Sequence, residues 1–283
     1  ENNPGPFHSP RPSNWDLLNA VYRRVVEAIR AIDPHHIVFL DGDRFSGLFE
    51  GLDAPFADNL VYCFHSYMSP GMGPGPYPGK LGREMWDRAK ILAAIVRTEG
   101  YKYARKHSVP LCCGEFGALF TGPAEEKADR IRGAGEQADV FEELDIHWTT
   151  VTYKDVGLMG WAMTDPQSPF MQAVGSVLEA KQELQAICWG TVTPGAVGAA
   201  LSRLAEVIKE HCPEPDLDAG ANEAALRRYA LVGYAAGLLQ TPFARCFKDM
   251  SEGEMDSVLG SFRIENCVIN RDFVDVLKKS MQR

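Results

Sequence analysis

The sequence has no apolar run of the roughly 20 residues that a membrane-spanning helix needs. It also lacks any Cys-x-x-Cys pair among its seven cysteines, which leaves a zinc or dithiol redox centre without support. The scattered thiols read instead as buried groups in a reducing compartment. There is no Gly-x-Ser-x-Gly, no His-Glu-x-x-His and no glycine-rich segment ending in Gly-Lys-Ser/Thr. A serine hydrolase elbow, a zinc protease helix and a phosphate-binding loop are therefore not expected. Positive charge is in deficit, with 29 Lys and Arg against 38 Asp and Glu and a net charge of −9. That balance excludes a general nucleic-acid binder, which needs a basic face. No signal peptide is recognisable. The chain opens on Glu1 rather than Met, so the expectation is a piece of a longer protein, with its compartment left open.

What remains is an ordered alternation of patterns over 283 residues. Residues 14–32 place Leu17, Leu18, Val21, Tyr22, Val25, Val26, Ile29 and Ile32 at helical spacing, with Ser13 or Asn14 as cap and Asp33-Pro34 as stop. "HIVFLDGD" (36–43) and "NLVYCFHSY" (59–67) read as buried strands, the second followed by a Gly/Pro rim loop. Residues 83–108 read as one long helix, "VPLCCGEFG" as a third strand and 123–144 as a helix. "IHWTTVTYKD" (146–155) reads as a fourth strand and 168–187 as a further helix. Beyond Gly190 the pattern is helical throughout, with no strand signal and no repeat.

Strands separated by helices imply parallel pairing and an α/β architecture. In a (β/α) barrel the site lies at the carboxyl ends of the strands. Four strands in about 190 residues predict half of a (β/α)8 barrel, residues 1–190, followed by an all-α extension, residues 191–283. Such a half-barrel leaves two sheet edges unpaired and should be poorly stable alone. Chemistry-bearing residues stand at these ends: His65, Ser66 and Tyr67 after one strand, Glu115 between Gly114 and Gly117 after another. An ionised carboxylate at the tip of an apolar strand is costly unless paired or used. Two carboxylates can divide glycoside hydrolysis between an attacking group and a proton donor. The glycines beside Glu115 would leave room for a sugar ring.

The segments "IRAIDPHHIVFLDGD", "NLVYCFHSY" and "VPLCCGEFG" resemble, in order and spacing, the last strands of family 5 glycoside hydrolases. These are cellulase-like retaining enzymes on a (β/α)8 barrel. The resemblance covers residues 1 to about 190; the tail is similar, less specifically, to helical tails of some bacterial members. It implies Glu115 as nucleophile, Tyr67 as its hydrogen-bond donor, His65 as an arranging residue and Glu1 as acid/base. It implies a carbohydrate partner, namely a β-linked glucan, oligosaccharide or glycoconjugate, and neither cofactor nor metal.

Two positions depart from the family. Asn2 follows Glu1 where proline is usual, and Val151 stands where a sugar-stacking Trp is expected before Lys154. Trp148 or Trp161 would then supply the aromatic, substrate-binding surface. His35-His36 reads as a solvated corner, and Asp41 and Asp43 as turn formers within reach of substrate. The alternatives are a non-catalytic carbohydrate binder of the same fold, and a protein whose function is set by a helical interaction module at 191–283. Oligomeric state is left open.

Overall fold

The computed structural model describes residues 13–187, 195–212 and 225–282. They fall into two compact units. One takes in the described residues through Tyr153, then Leu158–Trp161 and those from Asn270 onward. The other is Lys154–Gly157 with the described part of Ala162–Ile269.

The first unit is built on a parallel sheet in the order β1-β2-β5-β6. Its strands are β1 (Val38–Asp41), β2 (Leu60–His65), β5 (Leu111–Glu115) and β6 (His147–Trp148). Helix α1 (Trp15–Arg30) precedes β1, and Asn14 caps it by accepting from the Leu17 amide at 3.1 Å. Of its apolar stripe Val26 is buried, whereas Leu17, Val21 and Val25 are exposed. A single turn, α2 (Asp43–Ser46), follows β1, and a short helix, α3 (Ser69–Met72), follows β2. The crossover to β5 runs through a hairpin, β3 (Gly79–Leu81) with β4 (Glu84–Trp86), then α4 (Arg88–Ile95) and α5 (Glu99–His107). Helix α6 (Ala124–Glu143) joins β5 to β6, and α12 (Arg271–Ser280) packs on α6.

β2 and β5 are buried along most of their length, as expected of central parallel strands covered on both faces. One face, carrying Tyr62 and Phe64, meets the helices. Phe64 and Phe116 each pack edge-to-face on Phe141 of α6, with centroids 6.1 and 5.1 Å away. Gly100 of α5 is required by that packing, since a Cβ there would lie 2.9 Å from Phe64 Cβ. The opposite face carries Val61, Cys63 and Cys112, a small apolar cluster.

The second unit holds a three-stranded sheet, β7 (Lys154–Asp155), β8 (Ala162–Thr164) and β9 (Cys267–Ile269). β7 pairs with β8 in parallel, and β8 with β9 antiparallel. Helices α7 (Pro169–Glu183), α8 (Ala196–His211), the π-helical α9 (Arg228–Ala235), α10 (Ala236–Arg245) and α11 (Glu252–Gly260) complete it. Phe170 of α7 gathers Phe243, Phe247 and Phe262 within 4.7–6.5 Å of its ring centroid.

Four local expectations are corrected. The helix expected at 83–108 is a strand and two helices, because Asp87 and Thr98 each accept from an amide three residues on and start a new helix. The strand expected at 146–155 is two two-residue strands in different sheets. The loop after β2 contains α3 and β3 rather than irregular chain alone. The extension includes strand β9, whose pairing partner β8 lies about 100 residues earlier and leaves no local signal.

Candidate active site

His65 ends β2 and Glu115 ends β5, on adjacent parallel strands. Their alignment depends on an irregularity. Cys63 pairs with Cys112 and Phe64 with Cys113, but His65 pairs with Glu115, so Gly114 is an extra residue in β5. Strict alternation would put Glu115 on the face of Leu111 and Cys113, under the helices. The bulge turns it to the face of His65 and Cys63, which is what a bulge beside a functional site commonly does. A Cβ on Gly114 would touch only His65 and Cys63, at 3.6–3.8 Å, so crowding does not demand a glycine at the bulge.

Tyr67 donates its hydroxyl to Glu115 Oε2 at 2.7 Å, and His65 Nδ1 lies 3.5 Å from the same oxygen. The Glu115 side chain is 31% exposed and that of His65 10%, so the carboxylate is reachable while the imidazole is enclosed. Burial, then the hydrogen bond to Glu115 and its charge, push the Tyr67 phenol far above its ordinary value. Tyr67 therefore remains a protonated donor through the physiological range. Burial pulls His65 below its ordinary value, against the upward pull of Glu115 and Asp41.

Asp41, at the end of β1, extends the array, with its Oδ1 4.0 Å from His65 Nε2. The same oxygen accepts from the Ser46 hydroxyl at 2.8 Å. Ser46 reaches it because Arg44, Phe45 and Ser46 are all left-handed, with φ of 50°, 57° and 57°. Each such non-glycine residue costs about 1–2 kcal/mol, so surrounding contacts must hold the turn. The amides of Gly47 and Leu48 close it on the Asp43 carbonyl, both at 3.0 Å. Asp43 thus forms the turn, as its residue type suggests, while Asp41 faces His65.

Behind these residues lies a support that sequence reasoning missed. Gln137 of α6, 1% exposed, donates to the Ser66 carbonyl at 2.9 Å and shares a 2.8 Å hydrogen bond with the Ser66 hydroxyl. The Ser66 amide in turn donates to the Glu115 carbonyl at 2.8 Å. Thr149 donates to the Gly114 carbonyl at 2.6 Å. A Cβ on Gly117 would lie 2.6 Å from the Val151 carbonyl, and one on Gly71 would lie 2.3 Å from the Gly117 carbonyl. Gly117 is thus required by close backbone packing.

Trp148 and Trp161 are not among these side chains. With Tyr153, His147, Glu142 and Met281 they line a separate cavity of about 690 Å³ at the β6 edge, whose wall contains none of Glu115, His65 and Tyr67. Their indole N–H groups donate to Glu142 at 2.8 Å and Thr150 at 2.5 Å. Glu1 lies outside the described residues. His35 and His36 form an exposed corner whose amides both donate to Asp33 at 3.0 Å. The six described cysteines are free, and burial pushes the Cys113 thiol well up, as for a packed, inert group. Among the described residues no cluster of three or more His, Cys, Asp or Glu is placed to hold a metal ion, and no helix is long and apolar enough to cross a membrane.

The model of the cellulase family, glycosyl hydrolase family 5, matches residues 3–164. A β-xylosidase from Phanerodontia chrysosporium is 28% identical over 94% of this chain and 58% of its own length. The chain thus spans little more than half of that curated relative. Among solved structures, the cellulose synthase subunit Z from Clostridioides difficile matches with a TM-score of 0.39 at 20% identity, covering 48% of each chain. A Bacteroidetes-affiliated family 5 cellulase linked with a polysaccharide utilization locus matches at 0.42 and 17% identity, over 52% of this chain and 41% of its own. The family assignment carries the (β/α)8 reading of the parallel sheet. The chain belongs to the cellulase family, glycosyl hydrolase family 5.

Proposed function

We propose that this chain carries the nucleophile side of a retaining β-glycosidase, with Glu115 as the attacking carboxylate. The observation that supports this best is the convergence of Tyr67 and His65 on one oxygen of a partly exposed carboxylate at the ends of neighbouring strands. A nucleophilic carboxylate must be ionised, oriented and reachable. The Tyr67 hydroxyl fixes one oxygen, and the bulge at Gly114 turns the group away from the helices. In the first step Glu115 attacks the anomeric carbon while an acid protonates the departing oxygen. In the second, the same acid, now a base, activates water against the glycosyl ester. Glu1 is the residue to which the family resemblance gives that second role. The substrate is a β-linked glucan, oligosaccharide or glycoconjugate, and the β-xylosidase relative adds β-xylosides to the candidates. Trp148 and Trp161 are proposed to give it an aromatic surface further from the reacting bond.

The test is Glu115→Ala in the complete protein, assayed on aryl β-glucoside and aryl β-xyloside. A loss of at least about a thousandfold is expected for removal of a covalent nucleophile. Activity within tenfold of the unaltered protein would remove Glu115 from this role. Val151, standing where a stacking Trp is expected, favours a second reading as a carbohydrate binder. That reading predicts sugar binding without turnover in the unaltered protein.

A further inference from the structure

We infer that Asp41 is a positioning residue, which acts on the nucleophile by holding His65 in place between two carboxylates. The inference rests on the reading of Glu115 given above, and it starts from a cost. Three consecutive left-handed residues, none of them glycine, stand two residues beyond the end of β1. Strain of this kind persists only where surrounding structure over-determines it, and it concentrates at functional sites. What the turn delivers is the Ser46 hydroxyl, donated to Asp41 Oδ1 at 2.8 Å. The other end of Asp41 is fixed as well, because Tyr22 of α1 donates to its carbonyl at 2.7 Å. Gly42 admits the turn, since a Cβ there would lie 2.5 Å from the Phe49 ring and 2.6 Å from the Leu48 carbonyl.

So held, Asp41 Oδ1 faces His65 Nε2 at 4.0 Å while Glu115 Oε2 faces Nδ1 at 3.5 Å. At 4.0 Å the link is a charge interaction rather than a hydrogen bond. A neutral imidazole has one N–H and two carboxylate neighbours, so the charge of each biases where that proton sits. Among the described residues the charged groups facing the ring are Asp41 from β1 and Glu115 from β5. On its own strand Cys63 shares the face of His65, and Tyr67 lies beyond it on the Glu115 oxygen. When Glu115 becomes a glycosyl ester it loses its charge, and Asp41 remains to keep the ring oriented for the second step.

The experiment is nitrogen-15 imidazole NMR of the complete protein, with His65→Gln to assign the resonance and kcat and KM measured alongside. Asp41→Asn removes a negative charge facing the ring. It is expected to lower the His65 titration midpoint by about one pH unit. It should also cut kcat about tenfold while changing KM less than about threefold. Ser46→Ala leaves β1 and its pairing intact and should shift both readouts the same way by a smaller amount. Unchanged His65 resonances in both variants would overturn the inference, whatever happens to the rate. If Glu115→Ala left turnover intact, the nucleophile reading would fall instead, while the His65 resonances would still report whether Asp41 holds the ring.

Discussion

Gln137 lies 71 residues from Ser66 in sequence, yet it is the side chain that holds the peptide between His65 and Tyr67. Replacing it by Leu keeps its approximate volume and removes both of its contacts to Ser66, at 2.9 and 2.8 Å. A buried acceptor left without a donor costs about 1–3 kcal/mol. Ser66 is 5% exposed, so water does not readily replace the amide. Counting the carbonyl in full and the rotatable hydroxyl in part gives a loss of about 2–4 kcal/mol. For a unit of this size each kcal/mol lowers the midpoint by about 2–4 °C, so thermal unfolding of Gln137→Leu should fall by about 5–15 °C. Gln137→Glu sharpens the test. Its carboxylate turns an acceptor toward the two Ser66 oxygens at neutral pH, and part of the lost stability should return on acidification as the acid regains a donor. A Gln137→Leu shift under about 2 °C, with no pH dependence in Gln137→Glu, would show that Ser66 is held by other contacts.

Three further outcomes follow from the geometry around Glu115. Tyr67→Phe removes one charge-assisted hydrogen bond and should lower kcat/KM by about 10- to 150-fold, equivalent to about 1.5–3 kcal/mol; a change under threefold would contradict the orienting role. Gly117→Ala drives a methyl against the Val151 carbonyl and Met159 Cε, 2.6 and 3.0 Å away. It should destabilise by about 1–3 kcal/mol and depress turnover, with a normal urea midpoint as the refuting result. His65 titrates in the folded protein below its ordinary 6.5, so the unfolded chain takes up its proton first as pH falls. Its stabilising contribution is complete above about pH 6.5 and is lost on acidification toward the folded value. The urea midpoint should therefore drop between pH 7.5 and 5, less steeply in His65→Gln; equal slopes would assign the acid loss to other groups.

The sequence displayed those parts of the site that depend on residue type at a strand end. His65, Tyr67 and Glu115 close runs of apolar, β-forming residues, and the structure brings them together. What it concealed depends on pairing across distance. The bulge at Gly114 exists only relative to β2, and reading β5 alone puts Glu115 on the helix-covered face. Gln137 sits within a helix whose neighbouring polar residues give no reason to single it out. Arg44, Phe45 and Ser46 carry no glycine or asparagine to mark a left-handed turn, so local propensity points away from the conformation adopted. The breaks at Asp87 and Thr98 lie inside a stretch whose spacing is helical throughout, so the pattern alone reads across them.

The central claim, that Glu115 forms the covalent bond to the sugar, is tested most directly by trapping. The complete protein is incubated with a 2-deoxy-2-fluoro aryl β-glycoside of a sugar it hydrolyses, then digested and mapped by mass spectrometry. The adduct is predicted on the peptide that contains "CCGEFG", with fragmentation placing it on Glu115, and it should be absent from Glu115→Ala. An adduct on another carboxylate, or none in a protein that turns over the parent glycoside, would contradict the account.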